Sequence, residues 1–227
     1  MISKLPKWIL LGSGVLAFIA GIINAVGFLG YHHQGITHLT GTTTLLGIAV
    51  ASQNSTATLH LVAFIGSFLA GAVASGFIIQ DSTLNLNRRY GVALVAESLL
   101  LFAAIPLLWR GNFSGDCLAS AACGLQNAMA STFSGAVIRT THVSGIFTDL
   151  GIFIGHWLRG LPVDFRRLRL WFVLITAFGG GGTVGALLFA QWNYNTLYLP
   201  AALTGLTGLS YGVYRKYHPG RPQPTSP

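Results

Sequence analysis

The stretch THLTGTTTLLGI at Thr37–Ile48 returns later in the chain as THVSGIFTDLGI at Thr141–Ile152. The two copies align without a gap, and they share the identical pairs Thr37/Thr141, His38/His142, Gly41/Gly145, Thr44/Thr148, Gly47/Gly151 and Ile48/Ile152. Upstream of each copy, GIINA at Gly21–Ala25 matches GLQNA at Gly124–Ala128. Similarity on both sides of a loop indicates that one multi-helix unit has been duplicated.

The composition around these copies indicates a membrane protein. The chain has 227 residues, of which 52% are hydrophobic and 8% are charged, and its mean hydropathy is +0.62. Soluble domains carry about 25% charged residues. The net charge of +8 comes from residues in short connectors, which favours topology determinants and contacts with lipid headgroups over nucleic-acid binding.

Long apolar runs predict the membrane-crossing helices. They fall at Trp8–Leu29, Ala57–Ile79, Tyr90–Trp109, Cys117–Ile138, Leu170–Gln191 and Leu197–Tyr214. Each run is long enough to cross a hydrocarbon core of about 30 Å. Thr37–Ser52 and Thr141–Leu158 are shorter and more polar, so they predict broken or re-entrant helices. The expected fold is an all-α membrane protein with about six transmembrane helices and two short helices.

The repeat divides the chain into residues 1–110 and 111–214 of one membrane domain, followed by a basic, Pro-rich tail at 215–227 that we expect to be disordered. If the short segments do not cross, most basic connectors lie on the same side as the N-terminus. The positive-inside rule then favours two cytoplasmic termini and copies in opposite orientations. If every segment crosses, Arg88, Arg89 and Arg139 move outside and the repeats become parallel.

The paired Thr/Gly segments are the main candidate binding site. Hydroxyls and glycines at the start of a short helix suit a broken element whose free N–H groups attract polar or anionic ligands. The candidate substrate-binding residues of these segments are Thr40, Gly41, Thr44, Ser144, Gly145 and Thr148. The alternative is that small residues merely allow close helix packing.

Histidines and asparagines also recur at equivalent positions. His38 and His142 are either interfacial residues bonded to backbone or a symmetric pair on a permeation path. Asn24 and Asn127 lie within long apolar helices, where each amide can join its helix to the following Thr/Gly segment, contact a ligand, or do both.

Three ionisable residues break the symmetry of the repeat. Glu97 lies in an apolar run and Asp149 replaces Leu45 of the first copy, and both are candidate proton-coupling residues. Arg139 is a candidate anion contact or a topology charge. Asp149 can pair with Arg139 or bond the amides of its own segment.

No other motif indicates catalysis, a metal or a cofactor. Cys117 and Cys123 match no metal or disulfide pattern, and no nucleophile–base spacing or nucleotide-binding loop is present. We therefore expect a protein that is not an enzyme and that has no metal site and no cofactor.

The chain resembles the YoaK-type family of bacterial multi-spanning membrane proteins (domain of unknown function 1275). The resemblance rests on NAVGF at Asn24–Phe28, HLTGT at His38–Thr42, GLQNA at Gly124–Ala128 and RTTHVSG at Arg139–Gly145. It implies a protein of the bacterial inner membrane and supplies no substrate or catalytic residue.

The sequence therefore favours a small secondary transporter or channel-like permease for a small polar solute or anion, with proton coupling at Glu97 or Asp149. The alternatives are a membrane enzyme or helper, and a structural or sensory scaffold. The small-residue helix faces leave open whether their partner helix is internal or belongs to a homo-oligomer.

Overall fold

The computed structural model describes residues 7–30, 33, 35–37, 39–79, 88–134 and 139–217. Within these ranges the chain is helical and no strand occurs. The α-helices are α1 (Lys7–Leu29), α2 (Leu39–Ala51), α3 (Ser55–Ile78), α4 (Arg88–Trp109), α5 (Phe113–Ser134), α6 (Val143–Leu158), α7 (Phe165–Trp192) and α8 (Tyr198–Tyr217). A short 3-10 segment, Asn193–Leu197, joins α7 to α8. The predicted all-α fold class is confirmed.

Four stretches of the described chain are long and apolar enough to cross a membrane: Ile9–Leu29, Ser55–Ile78, Arg89–Trp109 and Phe165–Val213. The last of these contains both α7 and most of α8. Helix α5 is not among them, because polar residues such as Asp116, Ser120 and Gln126 lower its hydropathy. These three side chains are buried, so they face other helices. The chain has the character of a helical membrane protein, as predicted.

Helices α1 and α7 lie side by side and run in the same direction. A Cβ atom on Gly14 would lie 3.0 Å from Cγ1 of Val173, and one on Gly185 would lie 2.9 Å from Cα of Ile22. Between these points, a Cβ on Gly21 would overlap the backbone of α7. Residue numbers rise together along both helices, which defines a parallel pair held by close backbone approach.

Helices α3 and α5 form the equivalent parallel pair. The hydroxyl of Ser120 donates a hydrogen bond of 3.1 Å to the carbonyl of Phe64. One turn further along, a Cβ on Gly124 would overlap the carbonyl of Phe68, and a Cβ on Gly71 would overlap the backbone of α5. The first helix of each half therefore packs against the third helix of the other half. The two halves are therefore interlocked by these helix pairs.

Helix α4 runs antiparallel to α8. The Ser98 hydroxyl donates a hydrogen bond of 2.7 Å to the carbonyl of Ala201, and the Trp109 indole donates one of 2.9 Å to Oδ1 of Asn195. Helix α4 also packs along α5, which follows it in the chain.

One end of the bundle, here the Trp109 end, contains the ends of the long helices α1, α4 and α7 and the starts of α3, α5 and α8. The rings of Trp109 and Tyr194 lie 6.1 Å apart between centroids. A Cβ on Gly30, just after α1, would lie 2.9 Å from the hydroxyl of Tyr194. His60, near the start of α3, stacks on Phe113 at the start of α5, with centroids 4.3 Å apart. Helix α1 therefore ends where α3 begins.

The opposite end, here the Tyr90 end, is marked by a hydrophobic cluster. The cluster contains Ile9, Ile79, Tyr90, Phe133 and Leu170, which lie near the starts of α1, α4 and α7 and the ends of α3 and α5. Helix α5 therefore ends where α7 begins.

Helices α2 and α6 each begin part-way along the length of the bundle. Each then runs back to the end of the bundle at which the preceding long helix ends. Asn24 Oδ1 accepts a hydrogen bond of 3.3 Å from the backbone N–H of Thr37, so the chain after α1 turns back beside it. The equivalent Thr141 hydroxyl donates a hydrogen bond of 3.4 Å to Asn127 Oδ1. Helix α2 then rises to the Trp109 end, and α6 descends to the Tyr90 end.

The boundaries differ little from those predicted. Helix α5 begins at Phe113, four residues earlier than the apolar run from Cys117 suggested. Helix α8 continues to Tyr217, three residues beyond the end of the predicted apolar run. The rest of the predicted tail, residues 218–227, lies outside the described residues.

The glycine contacts give a first prediction. Gly124→Ala places a methyl group against the Phe68 carbonyl, and overpacking of this kind costs about 1–3 kcal/mol. We expect a lower melting temperature in detergent and a lower yield of folded protein. Gly66→Ala is the matched control, since a Cβ on this α3 glycine meets nothing within 4 Å. Equal loss of stability in both variants would contradict the packing described here.

Candidate functional site

A polar cavity of about 430 Å³ lies where α6 begins against α7. It is lined by Arg139, His142, Gly145, Ile146, Thr148, Asp149, Trp171 and Leu174. The fold thus brings together five of the predicted site residues of the second copy, which are Arg139, His142, Gly145, Thr148 and Asp149. Trp171 and Leu174 of α7 supply the apolar wall.

The start of α6 shapes the electrostatics of this cavity. His142 stands at the N-cap position, and its side chain makes no capping hydrogen bond. A Cβ on Gly145 would overlap the His142 ring, so the glycine allows the imidazole to lie over the first helical turn. Arg139 and Asp149 are both exposed. Both line the cavity, but the described part of the chain contains no ion pair between them.

The two asparagines anchor the segments that lead to α2 and α6. Asn24 accepts a hydrogen bond from Thr37, and Asn127 accepts one from Thr141. Thr37 and Thr141 are equivalent positions of the repeat. The geometry of both side-chain amides fits one of the roles suggested by the sequence, in which the amide joins its helix to the following Thr/Gly segment. Each amide holds the turning chain beside the helix that precedes it.

A chain of hydrogen bonds leads from this region to the buried Glu97. The Thr140 hydroxyl donates to Oε1 of Gln126 at 3.5 Å, and Nε2 of Gln126 donates to Oε1 of Glu97 at 2.9 Å. The Glu97 side chain is fully buried. Its second carboxyl oxygen has no hydrogen-bond partner among the described residues. Glu97 therefore faces the interior of the bundle and is linked to the residue next to Arg139.

At the positions of the first half that match Gln126 and Thr140, the side chains are apolar. Ile23 stands where Gln126 stands in the second half, just before the matched asparagine. Ile36 stands where Thr140 stands, just before the matched threonine. Both isoleucines belong to a hydrophobic cluster in the bundle core. The duplication has therefore kept the framework and changed the chemistry beside Glu97.

The predicted residues of the first copy do not reach the cavity. Thr40, Gly41 and Thr44 are exposed on α2, and His38 lies outside the described residues. The Thr44 hydroxyl donates to the Thr40 carbonyl at 3.1 Å. Among the described residues, no Cα atoms of α2 and α6 lie within 8 Å of each other. The paired Thr/Gly segments, which the sequence suggested as a candidate binding site, therefore lie apart among the described residues, since α2 packs on α3 and α6 on α7.

Hydroxyls in the second copy bond to their own helix in the same way. The Thr148 hydroxyl donates to the Ser144 carbonyl at 3.1 Å, and Ser144 is exposed. Thr148 nevertheless lines the cavity, where its oxygen can still accept a hydrogen bond.

Sequence reasoning did not select Gln126, Thr140 or Trp171 as site residues. Gln126 carried a usable signal, because it is a polar residue beside Asn127 in an apolar helix. Trp171 carried none, since a tryptophan at a helix end is typical of the membrane interface. No group of three metal-ligating side chains occurs in the described ranges.

The buried link gives a second prediction. Gln126→Leu removes the described hydrogen bond to Glu97, and an unsatisfied buried polar group costs about 1–3 kcal/mol. We expect a lower melting temperature, which Glu97→Leu in the same chain should partly restore, because apolar replacement of both partners removes the unsatisfied group. Gln191→Leu, at an exposed position of α7, is the matched control. No recovery in the double variant would argue against a direct Glu97–Gln126 bond.

Comparison with known proteins places the chain in a family. A family model described as "Protein of unknown function (DUF1275)" matches residues 13–210. Neither curated proteins nor solved structures gave a significant match. The matched region runs from early in α1 to late in α8 and so includes both halves of the repeat. The chain therefore belongs to the DUF1275 family.

Proposed function

We propose that this protein is a small secondary transporter or channel-like permease for a small polar solute or anion in the bacterial cytoplasmic membrane. The observation that carries the proposal is the polar cavity at the start of α6, next to the hydrogen-bond chain that ends at Glu97. A candidate site for a water-soluble ligand therefore lies next to a buried ionisable group in a helical membrane protein.

The cavity has the chemistry to hold an anion. Arg139 supplies a permanent positive charge with several donors. The start of α6 supplies backbone N–H groups and the positive end of the helix dipole. Thr148 and His142 add polar contacts, while Asp149 selects against a second negative charge nearby. A volume of about 430 Å³ falls within the range typical of small-molecule sites.

Proton coupling at Glu97 forms part of the proposal. Ionisable residues inside membrane helices are costly and usually mark functional positions. Gln126 connects Glu97 to Thr140, which is the neighbour of Arg139 in the chain. A change in the charge of the carboxyl group would therefore be felt at the segment that frames the cavity. Asp149, which lines the cavity itself, is the second candidate for coupling.

The arrangement in the membrane follows from the positions of the helix ends. We propose six crossings by α1, α3, α4, α5, α7 and α8, with α2 and α6 re-entrant and the halves inverted. Helices α1 and α5 leave from opposite ends of the bundle, which supports inversion. The connector with Arg159, Arg166 and Arg167 lies at the Tyr90 end and Arg110 at the Trp109 end. The positive-inside rule then makes the Tyr90 end cytoplasmic, with both termini there.

This arrangement gives a third prediction. In a background without Cys117 and Cys123, we expect Ser52→Cys and Ser114→Cys to react with a membrane-impermeant maleimide in intact cells. Pro162→Cys should react only after the membrane is permeabilised. All three positions are exposed. Eight crossings would instead place all three on the cytoplasmic side, so protection of Ser52→Cys and Ser114→Cys in intact cells would rule out the six-crossing arrangement.

Flux into proteoliposomes gives the fourth prediction and tests the function itself. With a panel of small anions and polar solutes, we expect uptake that responds to an imposed pH gradient. Arg139→Ala should reduce this flux about tenfold or more, because a lost charge-assisted hydrogen bond costs about 1.5–3 kcal/mol. Glu97→Gln should keep downhill flux and lose the response to pH.

Arg159→Ala is the matched control for the flux assay, since Arg159 is exposed near the end of α6 and does not line the cavity. It should transport like the unchanged protein. The absence of flux for every solute, with folded protein in the vesicles, would overturn the proposal. An equal loss of flux in Arg139→Ala and Arg159→Ala would show that the cavity is not the transport site.

One observation favours a structural or sensory scaffold as the second candidate. Thr40, Gly41 and Thr44 of the first copy are exposed and line no described cavity, which suits helix packing against another chain. In that case Thr44→Val would change the oligomeric state and leave flux unaffected. Catalysis is no part of either proposal.

A further inference from the structure

A second cavity of about 360 Å³ forms a cleft between α1 and α8. Its floor is made by α4 and α5. The lining residues are Ile9, Leu11, Gly12, Ser13, Val15, Leu16, Ile19, Tyr90, Leu94, Met129, Ala130, Phe133, Thr204, Thr207 and Tyr211. None of them belongs to the polar cavity at α6, and most are apolar.

The cleft opens sideways, toward the surface of the bundle that would face lipid. Leu11 and Val15 on its rim are 70% and 41% exposed. Ile19, Ala130 and Thr204 deeper in the cleft are 1%, 5% and 0% exposed. An occupant could therefore enter from the bilayer without passing through water.

The serine and threonine hydroxyl groups in the cleft do not change its apolar character. Ser13, Thr204 and Thr207 each donate to a backbone carbonyl of their own helix, at 3.0, 3.0 and 2.7 Å. Their protons are thus already used within the helix. Such a surface suits a hydrocarbon chain better than a polar solute.

The length of the cleft matches one leaflet of a membrane. It follows α1 from Ile9, near the Tyr90 end, to Ile19, which is about 15 Å at 1.5 Å per residue. This is half of a hydrocarbon core of about 30 Å. The cleft therefore extends from one end of the bundle to the depth at which the acyl chains of that leaflet end.

The helix framework does not by itself require this gap. In the other half of the repeat, α5 and α4 occupy the equivalent places and pack closely. There, a Cβ on Gly115 would lie 2.8 Å from the backbone nitrogen of Leu108. Helices α1 and α8 barely touch. An unfilled gap would forfeit the dispersion contacts of its lining, so an apolar occupant of the cleft would stabilise this arrangement.

Helix positions at the Tyr90 end of the cleft are occupied by basic residues. Helix α1 begins at Lys7, α4 begins with Arg88 and Arg89, and the last turn of α8 contains Arg215 and Lys216. In the chain, these positions lie within about one helical turn of the cleft residues Ile9, Tyr90 and Tyr211. Clusters of Lys and Arg at helix ends attract anionic lipid headgroups.

We propose that the cleft between α1 and α8 binds an acyl chain of an anionic phospholipid, whose headgroup lies among the basic residues at the Tyr90 end. The apolar wall, the lateral opening and the one-leaflet length favour an acyl chain as the occupant. The basic residues at the Tyr90 end favour a negatively charged headgroup. The proposal is independent of transport, since it uses none of the residues assigned to the anion cavity.

Native mass spectrometry of the purified full chain in a mild detergent tests this proposal. Dioleoyl phosphatidylglycerol is added to the unchanged protein, and dioleoyl phosphatidylcholine is the headgroup control. We expect one phosphatidylglycerol to bind at least tenfold more tightly than phosphatidylcholine. Val15→Trp, which fills the rim, should weaken this binding about tenfold. Val73→Trp on α3, at a similarly exposed position outside the cleft, should leave it unchanged.

Gly12→Leu provides a second test if Val15→Trp does not fold. A Cβ on Gly12 meets nothing within 4 Å, so the leucine narrows the cleft without an immediate clash, and Gly66→Leu on α3 is its control. Weaker phosphatidylglycerol binding in Gly12→Leu alone supports the proposal. Equal affinity for phosphatidylglycerol and phosphatidylcholine would overturn the proposal. So would phosphatidylglycerol binding by Val15→Trp and Gly12→Leu that equals the binding by Val73→Trp and Gly66→Leu.

Discussion

Contact between helix backbones at a few glycines is the constraint on which this architecture depends. In lipid, apolar side chains gain little from leaving the solvent, so helices associate through close packing and polar contacts. Gly21 against α7 and Gly124 against α3 provide that packing. Because each contact joins helices from different halves, neither half can be completed without the other. The parallel direction of both pairs then determines at which end of the bundle every long helix begins.

The short helices and their polar anchors follow from this arrangement. Since α1 ends where α3 begins, the chain between them has to leave and return at the same end. A segment that turns back inside hydrocarbon needs partners for its backbone groups. Asn24 accepts a hydrogen bond from the backbone N–H of Thr37, and Asn127 accepts one from the side-chain hydroxyl of Thr141. The repeat of an asparagine followed by a Thr-His pair is therefore explained by a structural requirement.

Much of the fold could be predicted from the sequence, because apolar run length and duplication are local properties. The predicted run from Trp8 to Leu29 differs from α1 by one residue at its start, and both short helices were expected. The pairing of α1 with α7 could not be predicted. The small-residue helix faces identify close-packed surfaces without identifying the partner helix.

The sequence could indicate which candidate residues lie near one another only within a single segment. Arg139, His142 and Asp149 belong to one segment, and all three line the polar cavity. Sequence identity between Thr44 and Thr148 says nothing about what packs beside each helix. Thr148 has α7 and Trp171 near it, whereas Thr44 faces outward.

The two halves have the same framework but differ in what joins their helices. Beside Asn127, Gln126 and Thr140 connect α5 to the carboxyl group of Glu97 on α4. Beside Asn24, the equivalent Ile23 and Ile36 are apolar. There, helix α8, which corresponds to α4 in the repeat, stands apart from α1 and leaves a cleft. One framework therefore accommodates both a closed helix pair and an open one. Alternating access in a repeat protein requires this property, because each half has to be able to adopt the arrangement of the other. If the protein transports as proposed, the polar link between Glu97 and Gln126 is the contact whose breakage would open α4 from α5.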